Sequence, residues 1–153
     1  MTYEMQETIT VPAAPQEVHA LLSDVTRTGE WSQQCERCEW EGEQRGAGAR
    51  FTGYNRTPER EWQTTSEVVA DVPGEHFAWS VGPGRVEWGY RMRPAADGGT
   101  ELTQYSRTLP ALEEYFAERF GDRAGAEIAR RQEAARTGIP ATLDAIRAVL
   151  ASR

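Results

Sequence analysis

The sequence predicts one α+β domain, spanning residues 1–153, in which a curved antiparallel sheet of about seven strands wraps around a long C-terminal helix. Three observations predict this class. Apolar and polar residues alternate at the N-terminus, strand-like segments between turns rich in glycine and proline fill the middle, and the tail has apolar residues at helical spacing. A sheet and a helix of this kind each have one apolar face, and each must bury that face against the other.

The first strand is indicated by a period-two pattern that ends at Pro12. The residues on its alternating row are Tyr3, Met5, Glu7, Ile9 and Val11. Two short helices are predicted after this strand. The first begins at Pro15 and has an apolar stripe, and the second is a helical turn over residues 28–32 with Trp31 facing inward.

About six more strands are predicted between residues 35 and 109, because turn signals separate short strand-like segments there. The turns are Gly46-Ala47-Gly48, Pro73-Gly74, Pro83-Gly84 and Asp97-Gly98-Gly99. In the tail, an apolar stripe predicts the long helix and consists of Ile128, Leu143, Ile146, Val149 and Leu150. Gly138 and Pro140 fall inside this stripe, so the helix is expected to kink or to be interrupted there.

The chain is acidic, with a formal net charge of −7, and all 17 of its basic residues are arginines. Phosphate contacts need clustered positive charge, so the composition disfavours nucleic acid as a partner. No apolar run approaches the length of about 18 residues that suggests a membrane span, and the N-terminus is unlike a signal peptide. We therefore expect a cytoplasmic protein without stable membrane insertion, as a monomer or a homodimer. The exclusive use of arginine is typical of a GC-rich bacterial genome.

The segment ITVPAAPQEVHALLSDVTRTGEWS resembles the opening of the START-like, or SRPBCC, superfamily, in its polyketide cyclase/dehydrase branch. In that branch a first strand leads through AP-x-x-V to LL-x-D and then EW. GARFTGYNR, FAWSV and GGTELTQ follow in the family's order, so the resemblance covers nearly the whole chain. It implies the helix-grip fold, whose members bind lipids, sterols, polyketides or hormones, while some cyclise polyketides. No catalytic pattern of an enzyme branch is matched, so the resemblance assigns no catalytic residue.

In the helix-grip arrangement, inward aromatic and polar side chains would line a cavity between sheet and helix. Strand parity places the candidates of successive strands on one face. The predicted ligand-binding residues are Trp31, Phe51, Asn55, Trp62, Thr64, Ser66, Trp79, Trp88, Tyr90 and Gln104. The alternative is that the rings fill the core and that the polar groups bond one another or a buried water.

Cys35 and Cys38 form a C-x-x-C on a predicted strand, where an offset of three residues points the thiols to opposite faces. We expect them neither to pair nor to share a metal. His19 and His76 lack metal-ligand spacing, and no nucleotide fingerprint occurs, so neither a metal nor a cofactor is predicted. An inward Glu7 could act as an acid or base, although pairing with an arginine or exposure would explain it equally well.

The function predicted from the sequence is the binding of a hydrophobic or aromatic small molecule, of lipid or polyketide type, in an internal cavity. Entry would be gated by residues 26–31, by the strand turns and by residues 121–125. One alternative is a polyketide cyclase or dehydratase of the same fold, which would need a convergent acid–base pair. Another is a protein-interaction module, which would combine a filled core with an exposed apolar patch.

Overall fold

The computed structural model describes residues 2–153, which form a seven-stranded antiparallel sheet with helices packed on one side. The strands are β1 (Glu4–Val11), β2 (Cys35–Trp40), β3 (Arg50–Thr57), β4 (Arg60–Val72), β5 (His76–Val81), β6 (Val86–Pro94) and β7 (Thr100–Thr108). The helices are α1 (Pro15–Leu22), α2 (Ala111–Phe120) and α3 (Ala124–Ala151), with short 3₁₀ helices at Val25–Glu30 and Gly121–Arg123. The order across the sheet is β1-β7-β6-β5-β4-β3-β2. The predicted fold class is confirmed.

The second short helix lies earlier than predicted, at Val25–Glu30 instead of residues 28–32. Its start is determined by Asp24, whose carboxylate accepts hydrogen bonds from the Thr26 amide at 3.1 Å and from the Thr26 hydroxyl at 2.5 Å. An aspartate in the N-cap position satisfies a free backbone amide and so favours the beginning of a helix there. Trp31 follows the helix and is buried, as predicted.

The strand register sorts the side chains onto two faces. Phe51 pairs with Ser66, Trp79 with Trp88, and Tyr90 with Gln104. The predicted inward residues of β3 to β7 therefore share one face, which we call the inner face. Phe77 and Leu102 lie on this face and belong to the same buried core as α3.

The helices cover the inner face unevenly. Helix α3 contacts β1 and β7, α1 contacts β5 and β6, and the first 3₁₀ helix contacts β2. The buried residues of α3 that build this core are Ile128, Ala135, Ile139, Leu143, Ile146 and Leu150. Coverage is therefore strongest at the β1–β7 edge, and the inner face of β3 to β6 is left partly accessible.

A kink or an interruption was expected at Pro140, and helix α3 is continuous there, so it is not interrupted. A proline inside a helix leaves one backbone carbonyl without its amide partner, which costs free energy. Ile139 and Leu143, on either side of Pro140, are almost completely buried. Burial of these two side chains offsets the loss and keeps the turn helical. None of the helices within residues 2–153 combines the length and hydropathy that a membrane span requires.

Candidate functional site

A chain of aromatic rings crosses the inner face from β2 to β6. Ring centroids lie 5.6 Å apart for Trp40 and Phe51, 6.4 Å for Phe51 and Trp79, and 5.8 Å for Trp79 and Tyr90. Aromatic pairs at these separations attract one another beyond the effect of burial alone. The rings therefore form one continuous apolar surface instead of isolated core residues.

The ten predicted ligand-binding residues divide into two groups by exposure. The buried group consists of Trp31, Phe51, Ser66, Tyr90 and Gln104. The partly accessible group consists of Asn55, Trp62, Thr64, Trp79 and Trp88. Only the second group offers surface to a ligand without rearrangement of the protein. We call this second group the inner-face strip.

The inner-face strip is elongated. Trp79 pairs with Trp88 on one side and with Val68 on the other, whereas Trp62 lies six residues before Val68 on β4. At about 3.3 Å per residue, these ends are separated by at most about 20 Å along the strand. A long apolar molecule would therefore match the strip better than a compact one.

Polar groups lie at the Trp62 end of the strip. Asn55 Nδ2 donates to Thr64 Oγ1 at 3.3 Å and to the carbonyls of Gly53 and Trp62 at 3.4 Å. All three distances are longer than the usual value of about 2.9–3.0 Å for such bonds. The amide of Asn55 is thus weakly engaged by the protein and can exchange these bonds for a ligand.

Two buried polar atoms on β7 have no hydrogen-bond partner within the described part of the chain, Gln104 Oε1 and Ser106 Oγ. Gln104 pairs in register with Tyr90, and Ser106 with Trp88. Burial raises the pKa of the Tyr3 phenol, and Ser106 and the Arg131 charge act against this rise. A buried acceptor without a partner costs about 1–3 kcal/mol, so a hydrogen bond donated to Gln104 Oε1 would be stabilising.

Tyr90 is the most deeply buried titratable group of the inner face. Burial raises the pKa of Tyr90 far above its ordinary value, and the hydrogen bond from Trp31 offsets only part of that rise. The Trp31 indole can only donate, so the Tyr90 oxygen is the acceptor in this interaction. The Tyr90 phenol is therefore a neutral, fixed element of the wall and is unsuited to acid–base work near neutral pH.

The prediction that Cys35 and Cys38 face opposite sides of the sheet is wrong. The β2–β3 register shifts between Cys35 and Arg37, so that Cys35 pairs with Asn55 and Cys38 with Gly53. Such a bulge adds one residue to the strand and cancels the alternation that a regular strand would impose. Both thiols consequently lie on the inner face, with their sulfur atoms 3.4 Å apart.

Glu7 lies on the inner-face row opposite Gln104, but its side chain is exposed. The three arginines considered as its partners are engaged elsewhere. Arg50 pairs with Glu67, Arg107 pairs with Glu87, and Arg91 lies over the Tyr105 ring. Exposure is thus the explanation that fits Glu7, and its carboxylate does not converge with Tyr90.

The histidines serve structural contacts. His19 Nε2 lies 2.7 Å from Asp71 Oδ1, and His76 Nε2 lies 2.8 Å from the Tyr105 hydroxyl on the other face of the sheet. Within residues 2–153, no group of three or more His, Cys, Asp and Glu side chains is placed to hold a metal ion.

Two surface depressions lie away from the inner-face strip. One, of about 610 Å³, is on the outer face and is lined mainly by polar residues that include His76, Arg91 and Glu101. The other, of about 260 Å³, lies beside α1 and is lined in part by Trp40 and Asp71. None of the ten predicted residues lines either depression.

The sheet wrapped on a long C-terminal helix, with aromatic side chains on the wrapped face, defines the helix-grip class. The family model for "Polyketide cyclase / dehydrase and lipid transport" matches residues 2–150. The chain therefore belongs to this family. No curated protein matches the sequence significantly.

Three solved structures illustrate the range of similarity. The polyketide-cyclase-like protein Cgl2372 from Corynebacterium glutamicum is 45% identical, with a TM-score of 0.70 over 98% of this chain and 92% of that chain. The Zhui aromatase/cyclase from Streptomyces sp. R1128 is 20% identical, with a TM-score of 0.75 over 100% and 96%. Ara h 8.0201 is 13% identical, with a TM-score of 0.66 over the full length of both chains. The last two share the fold.

Proposed function

We propose that the protein binds a hydrophobic or aromatic small molecule, of lipid or polyketide type, between the inner face of the sheet and the C-terminal helix. The observation that carries this proposal is the inner-face strip, in which Trp62, Trp79 and Trp88 remain partly accessible on the side of the sheet that packs against the helices. The accessible parts of these rings leave apolar area on this side of the sheet that a ligand could bury.

The driving force would be burial of apolar area, worth about 25 cal/mol per Å² before the costs of association are subtracted. A whole aromatic side chain buries about 150–250 Å², and each partly accessible tryptophan of the strip would contribute the fraction of that area that is still exposed. Asn55 and Thr64, which are both partly accessible, would orient a polar group at one end of the ligand. An apolar site with few polar groups is the usual composition of a small-molecule pocket.

A cyclase or dehydratase activity would need an acid and a base that converge on the ligand. The titratable side chains on or beside the inner-face strip include Glu7, Tyr90 and the two cysteines. Asp71 also pairs with Phe77 of the inner face, but its carboxylate is bonded to His19. Glu7 is exposed and is separated from Tyr90 by Gln104 in the strand register. This arrangement favours binding over catalysis, and turnover of a polyketide surrogate that disappears in Glu7→Gln would reverse the preference.

A protein-interaction module would present a sizeable exposed apolar patch. Within residues 2–153, the exposed large hydrophobic side chains are those of Val69 and Val72. Two valines near one strand end are too small a surface for a stable partner interface. We therefore rank this function below ligand binding.

The test is titration of the protein with long-chain fatty acids, flavonoids and polyketide-like aromatics while its tryptophan fluorescence is recorded. Binding at the inner-face strip should quench emission, because Trp79 and Trp88 would contact the ligand directly. Asn55→Ala should weaken binding by about tenfold, which corresponds to the loss of one hydrogen bond of about 1.4 kcal/mol.

Tyr54→Ala is the matched control, since Tyr54 is the neighbour of Asn55 on β3 and points to the outer face under the Arg37 guanidinium. It should leave affinity unchanged. Absence of quenching across the whole panel, or equal loss of affinity in both variants, would remove the support for an inner-face site.

A further inference from the structure

Cys35 and Cys38 lie side by side on the inner face and take no part in the proposed ligand binding. Their sulfur atoms are 3.4 Å apart, and a disulfide bond requires about 2.05 Å. An approach of about 1.4 Å would therefore close the bond. The bulge between Cys35 and Arg37 is what brings the thiols to the same face, so the juxtaposition is built into the strand register.

Gly53 provides the space in which the two sulfur atoms meet. It pairs with Cys38 on the neighbouring strand, and a Cβ atom at Gly53 would lie 3.7 Å from Cys35 Sγ and 3.8 Å from Cys38 Sγ. Both sulfur atoms thus lie over the same bare patch of backbone. No side chain from Gly53 stands in the way when the sulfur atoms approach one another.

The two thiols differ in accessibility. Cys35 is partly exposed at the start of β2, whereas Cys38 is buried, at 5% relative exposure. A soluble reagent can therefore reach Cys35 and not Cys38. A two-step exchange requires this arrangement. The accessible thiol first forms a mixed disulfide with the reagent, and the buried neighbouring thiol then displaces the reagent.

The thiols also differ in acidity, in the same sense. The hydrogen bond from the Cys38 thiol lowers the pKa of Cys35. The pKa of Cys38 is raised strongly. The main cause is the hydrogen bond to Cys35, which stabilises the protonated Cys38 thiol, and burial adds to the rise because it disfavours the thiolate. Cys35 is thus the thiol of the pair that ionises more readily, and the thiolate is the nucleophile in thiol–disulfide exchange.

We propose that Cys35 and Cys38 form a thiol–disulfide exchange site that reacts with low-molecular-weight disulfides to give an intramolecular Cys35–Cys38 bond. In the first step, Cys35 Sγ as a thiolate attacks one sulfur of the disulfide, and one reagent thiolate leaves with the electron pair. In the second step, Cys38 loses its proton and attacks Cys35 Sγ, which releases the second reagent thiolate. The protein gives up two electrons and two protons, and the disulfide reagent becomes two thiols.

The experiment uses oxidised glutathione as the probe, on the fully reduced protein. Intact mass and alkylation of free thiols are measured over time. We expect the wild-type protein to lose both free thiols without accumulating a glutathione adduct, because Cys38 resolves the mixed disulfide. Excess reduced glutathione should restore both thiols.

Two variants separate the steps. Cys38→Ser should retain one glutathione on Cys35, since the resolving thiol is gone. Cys35→Ser should react at least about tenfold more slowly, because its remaining thiol is buried. The tryptophan emission spectrum of each variant should match the wild type, and the wild-type measurement stands by itself if a variant does not fold.

Three results would overturn the proposal. They are a glutathione adduct that persists in the wild-type protein, thiols that both remain free, and disulfides that link two protein chains. The experiment contains no hydrophobic ligand, so its outcome is independent of the binding function proposed above.

Discussion

The Tyr105 phenol organises a group of outer-face side chains around one glycine. It donates to Glu87 Oε2 at 2.6 Å, so His76 Nε2, 2.8 Å away, must supply the proton of the second hydrogen bond. The ring lies over Gly89, with which it pairs in register. A single residue thus connects β5, β6 and β7 on the face opposite the inner-face strip.

Gly89→Ala should destabilise the protein by about 1–3 kcal/mol, in the range of overpacked sites. A Cβ atom there would lie 2.5 Å from Tyr105 Cζ and Oη, so the ring must move and weaken both hydrogen bonds. Denaturant unfolding followed by circular dichroism measures the change.

Gly138→Ala is the matched control for this substitution. A Cβ atom at Gly138 meets nothing within 4 Å, and the residue lies inside α3. The free energy of unfolding should therefore rise by about 0.5–1 kcal/mol, because alanine is the better helix former. Equal effects of the two substitutions would contradict the close packing of Tyr105 on Gly89.

His76 should make stability depend on pH. Burial and the nearby Arg91 charge lower the pKa of His76, while Glu87 opposes this shift. Because the unfolded state then binds the proton more readily, stability is fully present above the ordinary histidine pKa of about 6.5 and declines as pH falls below it.

The check is to compare urea midpoints of the wild type and His76→Gln between about pH 7.5 and 5.5. The wild type should lose more stability over this interval than the variant. A variant with the same pH dependence as the wild type would show that groups other than His76 account for the effect.

At the scale of elements, the first 3₁₀ helix packs closely against the backbone of β2. A Cβ atom at Gly29 would lie 2.1 Å from the Glu36 carbonyl oxygen and 2.9 Å from its carbon. Two side chains from this segment interact with inner-face residues. Trp31 interacts with Tyr90, and Thr28 interacts with Cys38. The position of this helix therefore controls both the aromatic wall and the dithiol.

Gly29→Ala should destabilise the protein by about 3 kcal/mol or more, because backbone atoms of β2 cannot move aside as a side chain can. Gly42→Ala, in the loop after β2, meets nothing within 4 Å and should change stability by less than about 0.5 kcal/mol. Thermal unfolding of the two variants side by side tests this. A mild effect of Gly29→Ala would mean that the helix can separate from β2 at little cost.

At the scale of the whole molecule, ligand binding should be visible as stability. A ligand that binds only the folded state, at about 100 times its Kd, raises the free energy of unfolding by about 2.7 kcal/mol. For a hydrophobic ligand found by fluorescence, thermal unfolding should show this gain in the wild type and in Tyr54→Ala. At the same ligand concentration, Asn55→Ala should gain about 1.4 kcal/mol less. A gain that is the same in all three proteins would place the ligand elsewhere.

The face on which each strand side chain lies was predictable because alternation of side chains is a local property. Phe51 and Trp62, Trp79 and Trp88, and Tyr90 and Gln104 were assigned to one face from parity alone, and the pairing confirms that assignment. Pro140 and Cys38 were not predictable in the same way. The continuity of α3 at Pro140 depends on burial of the flanking residues by other elements. The face on which Cys38 lies relative to Cys35 depends on a bulge that no local sequence pattern indicates.

The amino-acid sequence alone determined the order of the strands and of the two short helices after β1, the face of each strand that turns inward and the family to which the chain belongs, because periodicity and motifs are properties of neighbouring residues. It predicted one long helix after β7, where the structure has α2 before α3. The tertiary structure alone decided which of the ten predicted residues stay accessible, since that depends on how far α3 and α1 extend over the sheet. It also brought the two thiols together, because an extra residue in one strand is visible only against the strand that pairs with it.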